Sequence, residues 1–135
     1  MADFAITPAD VIMVPGTRSQ IATASQTINA GQLVQVLSGS ASLPTNDTAA
    51  DAQVSGMAVT SAVAGQPLIY CSAGSIPVGT VSGLISGQAL FLSANAGMIC
   101  PDTDLSSGKY VTQVGFAASA TAISLAINNT GIAHG

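Results

Sequence analysis

The sequence predicts an all-β fold: a single compact β-sandwich or barrel-like domain built from a duplicated strand-loop-strand unit, preceded by an extended N-terminal arm. Three observations predict it. Turn signals recur about every 10 residues between short apolar runs, the spacing of a sandwich or barrel. No stretch keeps the i, i+3, i+4, i+7 apolar pattern of a helix. The third is an internal repeat. Asn29-Ala30-Gly31-Gln32-Leu33-Val34-Gln35-Val36-Leu37 is echoed by Ser86-Gly87-Gln88-Ala89-Leu90-Phe91-Leu92. Each copy passes a proline and an Asp-bearing loop (Pro44 with Asp47, Pro101 with Asp102) and reaches Val-x-Gly-x-Ala at Val54 or Val-Gly-x-Ala at Val114. The offset grows from 56 residues at Gly31/Gly87 to 59 at Gly56/Gly115, as loop insertions between matched strands would produce. Two copies are too few for a solenoid, which needs about three.

Taken in order, residues 1–19 lie outside the repeat. Pro8 and Pro15-Gly16 interrupt them around the apolar run Val11-Ile12-Met13-Val14. Proline fixes φ and removes a donor, so this segment reads as an extended arm, or equally as a first edge strand. Residues 20–135 form the all-β domain, with the repeat at about 28–72 and 85–127. Strands are expected over 21–28, 33–37, 54–60, 67–72, 76–81, 110–117 and 122–127, and in the second-copy segment that matches 33–37. In the first copy Val34 and Val36 share one face and Gln35 the other. The second copy places Leu90 and Leu92 on the first face and Phe91 at the Gln35 position. The shared apolar face is the expected core face, and the Gln35/Phe91 position the outer one. An outward Phe91 suggests contact with a partner. Turns are expected at Ser38-Gly39-Ser40, Ala64-Gly65, Ala73-Gly74, Ser82-Gly83, Ala96-Gly97 and Ser107-Gly108. One helical turn is conceivable at Ala49-Ala50-Asp51-Ala52.

Charge is sparse. Charged residues are 6% of the chain, against about 25% in ordinary soluble domains. The cations are Arg18 and Lys109, set against six Asp. A folded chain of this size exposes on the order of 6,400 Å², roughly one charge per 800 Å². Much of that surface is therefore expected to be covered by other subunits or partners. A formal net charge of −4 with no basic run argues against nucleic-acid binding and against an anionic membrane surface. The N-terminus lacks the basic and apolar regions of a secretory signal, so synthesis in the cytoplasm is expected. Cys71 and Cys100 sit among strand residues outside any CxxC pair and read as reduced, structural thiols.

Reactive constellations are weak throughout. His134, the single histidine, stands one residue from the end. Ser106-Ser107-Gly108-Lys109 has Ser-x-x-Lys spacing, but Gly108 interrupts the helix that chemistry requires, and a polar hairpin turn explains it better. Asp47 with Asp51, and Asp102 with Asp104, could offer oxygen ligands to calcium, yet neither loop has a full ligand set, and Asp is an ordinary turn residue. Asn46-Asp47-Thr48 and Asn128-Asn129-Thr130 fit the glycosylation sequon and read as surface loops. No catalytic residue, metal site, cofactor or small-molecule substrate is expected. A lectin-like module would need exposed aromatics, and only Phe4, Phe91, Phe116, Tyr70 and Tyr110 are available.

The ordered pattern Ala30-Gly31-x-x-Val34, Gly56-Met57-Ala58-Val59, Val63-Ala64-Gly65 into Pro67-Leu68-Ile69-Tyr70, Gly87-Gln88-Ala89-Leu90-Phe91, Ala96-Gly97-Met98-Ile99 and Val114-Gly115-Phe116-Ala117 resembles the head decoration, or capsid cement, proteins of tailed bacteriophages. The resemblance covers roughly residues 20–127. It implies a non-enzymatic all-β protein, made in the host cytoplasm, that binds the exterior of the mature capsid and stabilises the shell. Its partners would be the major capsid protein and itself, as a homotrimer at three-fold or quasi-three-fold positions. The expected capsid or subunit contacts are Val11, Ile12, Met13, Val14 and Phe91. The alternative is another phage structural part: a head-fibre base, a tail subunit or a baseplate subunit.

Overall fold

The computed structural model describes residues 3–4, 6–12, 18–81, 83–101, 105 and 108–133. Among them the chain is all-β. Nine strands follow one 3₁₀ turn at Pro8–Asp10: β1 (Arg18–Ala24), β2 (Leu33–Leu37), β3 (Ser40–Ser42), β4 (Gly56–Ala58), β5 (Pro67–Pro77), β6 (Ala89–Leu92), β7 (Ile99–Cys100), β8 (Tyr110–Ser119) and β9 (Ala122–Ala133). The sheet runs β1-β3-β2-β4-β5-β9-β8-β6-β7, and β1 also pairs with β5. That extra pairing closes β1, β3, β2, β4 and β5 into a five-stranded barrel. The remaining strands extend the sheet beyond it from the far end of β5.

The two parts share one connectivity. In the barrel β2 pairs antiparallel with β3 and with β4, and β4 with β5. In the extension β6 pairs antiparallel with β7 and with β8, and β8 with β9. The first strand of each part pairs antiparallel with its last: β1 with β5, then the C-terminal part of β5 with β9. Registers also match. Leu33 faces Met57 and Val34 faces Gly56, as Ala89 faces Phe116 and Leu90 faces Gly115. Only the parallel β1–β3 pairing, which closes the barrel, has no strand-for-strand counterpart. At the corresponding place the N-terminal segment lies against the extension. Phe4 bridges to Ile99, and the Ile12 N–H donates to the Pro77 carbonyl at 3.1 Å.

One local device recurs three times. In Asn29-Ala30-Gly31-Gln32, Val63-Ala64-Gly65-Gln66 and Ile85-Ser86-Gly87-Gln88 the Gln N–H donates to the carbonyl of the first residue, at 3.0 to 3.1 Å. The glycines have φ of +93°, +88° and +85°, the third-position conformation of a type II turn. Each Gln Oε1 then accepts the N–H of the first residue, at 2.8, 3.2 and 3.3 Å. Each turn also clasps an alanine on a neighbouring strand. The Gly N–H donates to that alanine's carbonyl, and the alanine N–H donates to the Gln carbonyl. The alanines are Ala58, Ala24 and Ala117 respectively. The Gly-Gln dipeptide thus fixes both the turn and the strand it docks on. The 63–66 copy lies inside the first repeat unit, at a position where the sequence comparison finds only a turn signal.

Two apolar cores lie on opposite faces of β2, β4 and β5. Ala22, Ala24, Ile28, Val34, Ala41, Ala58, Ala62, Leu68 and Tyr70 fill the barrel. The larger core joins the other face of those strands (Leu33, Met57, Cys71) to the inner face of the extension (Ile76, Leu90, Leu92, Val114, Ala117, Ile123, Leu125), with Phe4 among them. Side chains alternate across a strand, so consecutive residues such as Leu33 and Val34 serve different cores.

This arrangement corrects several expectations. Gln35 is not on an outer face: it is 8% exposed, and its Nε2 donates to the Ala50 carbonyl at 2.6 Å. A strand covered on both sides has no solvent face, and Gln35 is accommodated because its amide finds a backbone partner. Ala73-Gly74 is not a turn between two strands. β5 runs unbroken from Pro67 to Pro77, and near Ala73 it exchanges β1 for β9 as its neighbour. A glycine inside a strand marks such a bend. The last strand continues through Asn128-Asn129-Thr130 because Asn128 and Asn129 pair with Gln113 and Thr112 of β8, while the Asn129 side chain accepts from the Val54 N–H (2.8 Å) and donates to the Val54 carbonyl (3.1 Å). At 49–52 a single turn closes, with the Ala52 N–H on the Thr48 carbonyl and the Asp51 N–H on Thr48 Oγ1.

The β2–β3 hairpin turns on two residues with positive φ, Ser38 at +51° and Gly39 at +78°. This is a type I′ turn, which favours Asn or Gly at its first central position. Ser38→Asn is expected to raise stability by about 0.5 kcal/mol, a fraction of the roughly 1–2 kcal/mol left-handed penalty. The check is the urea midpoint, with an unchanged slope.

Candidate interaction surfaces

The residues expected to contact a capsid or a neighbouring subunit fall on separate elements. Val11 follows the 3₁₀ turn, is partly buried and packs against the larger core. Ile12, next to it, is exposed. Met13 and Val14 lie outside the described residues. Phe91 stands on β6 between Cys100 of β7 and Gln113 of β8, and is partly buried.

The N-terminal segment is built onto the body. Phe4 is 3% exposed. Asp3 accepts hydrogen bonds from Ser93 Oγ and Asn95 Nδ2, both at 2.7 Å. A groove of about 220 Å³ opens between this segment and the first Gly-Gln turn, lined by Phe4, Ile6, Pro8, the turn residues Asn29 to Gln32, Met98 and Ile99. None of the described residues lining it carries a titratable side chain, and they offer shape and a few amide groups.

Among the described residues charged groups do not converge. Lys109 forms an ion pair with Asp47, both partly exposed, which ties the Asp-bearing loops of the two halves together. The Tyr110 N–H donates to the Asn46 carbonyl at 2.8 Å beside it. The Lys109 ammonium, by hydrogen bond and then by charge, holds the Asp47 carboxyl below its ordinary value of 3.8. A lowered carboxylate pKa adds stability above the unfolded value, which is lost as pH falls through the folded one. For so exposed a pair the contribution is small. Among the described residues no group of three or more His, Cys, Asp or Glu side chains could hold a metal ion. His134, Asp102, Asp104, Ser106 and Ser107 lie outside the described residues.

Sequence reasoning missed the main exposed apolar residues. Besides Ile12 these are Ile21, Leu37, Val63, Ile85, Phe116 and Ile132. The signal for Phe116 was present in the repeat: it occupies the register position of Met57, which is fully buried, while Phe116 remains 45% exposed. No protein-family model matches the chain, and no curated protein is detectably similar to it.

Proposed function

We propose that this chain is a non-enzymatic structural virion protein that binds the outside of a mature phage capsid as a homotrimer, at three-fold or quasi-three-fold positions, and stabilises the shell. The observation that carries the reading is the character of the solvent-facing surface. Among the described residues seven large apolar side chains stand exposed on strands, turns and the N-terminal segment of a chain with two cations and six carboxylates. Burying such residues against neighbours is favourable at about 25 cal/mol per Å². Scattered patches that are weak singly gain affinity when several coat subunits engage them together. The site would then exist only on the assembled shell. The motif order that resembles head decoration proteins points the same way.

Purified protein added to bare shells of the phage that encodes it is expected to bind saturably and to raise the temperature at which the shells open. Cryo-microscopy of the particles is expected to place density at three-fold or quasi-three-fold positions. Shells that open at the same temperature with and without the protein, or density in the tail, baseplate or a fibre base, would overturn the reading.

A further inference from the structure

We draw no further inference here: the strongest candidate, the apolar groove between the N-terminal segment and the first Gly-Gln turn, offers shape and a few amide groups, and nothing in the structure shows what covers it.

Discussion

Gly115→Ala is expected to destabilise the protein by roughly 3 kcal/mol or more, and the fold of the extension does not tolerate it. A Cβ built on Gly115 would fall inside contact distance of the Ser124 carbonyl oxygen and 2.9 Å from the Ala126 nitrogen. Both are backbone atoms of β9, so no side chain can swing aside. The clash is resolved only by moving β8 away from β9, which breaks the ladder between them. Overpacking of this kind costs about 1–3 kcal/mol, and φ of +151° adds strain of about 1–3 kcal/mol for any residue with a Cβ. Gly56 holds the equivalent register and is equally closed, against the Cys71 carbonyl and Tyr70 Cδ2. Gly131→Ala is the contrast. Its φ is +67°, but nothing lies within 4 Å of the added atom, so about 1 kcal/mol of backbone strain is all that is expected. Urea denaturation of Gly115→Ala, Gly56→Ala and Gly131→Ala checks the order. A Gly115→Ala midpoint within error of that of Gly131→Ala would refute the close-approach argument.

The same glycines mark what the sequence made legible. Period-two alternation and turn residues located β2 to the residue and most other strands within a few positions, because those signals are local. The pairing of Gly31 with Gly87 and of Gly56 with Gly115 was visible because a backbone that must turn or approach closely tolerates no alternative residue. What was not legible is non-local. Nothing in Leu33-Val34-Gln35-Val36 says that both of its faces are buried, since that depends on the extension folding over the barrel. Nor does Ala73-Gly74 distinguish a turn from a bend in one strand, because the chemistry is the same and only the identity of the neighbouring strand differs. The candidate site was the least legible part. Phe91 was singled out as the aromatic at a repeat position, yet the more exposed ring is Phe116. It became visible through its register with Met57, a residue pair in which one side chain is buried and the other exposed.

Phe4→Ala is the second large effect, expected to cost about 3–5 kcal/mol and to lower Tm by 10 °C or more at roughly 3–5 °C per kcal/mol for a chain of this length. The N-terminal segment stands where the barrel half has its closing β1–β3 pairing. Phe4 supplies both halves of that closure. Its N–H donates to the Ile99 carbonyl at 2.9 Å, continuing the sheet past β7, and its ring joins the larger core. Ile6 and Val11 pack against the same core, and both lie within 3.3 Å of where a Cβ on Gly31 would be. Removing the ring therefore opens a cavity at the one edge of the extension that has no strand of its own to seal it. The loss should be shared by residues 3–12 as a unit, so hydrogen exchange at Phe4 and Ile12 should accelerate together. For the same reason, deleting residues 1–19 is expected to expose apolar core and promote aggregation, and so cannot serve as a clean test of shell anchoring. The informative variant is Ile12→Asp, which changes an exposed side chain of that segment and leaves Phe4, Ile6 and Val11 in place. A Phe4→Ala protein that melts with the wild type would mean that the segment merely rests on a core already complete without it.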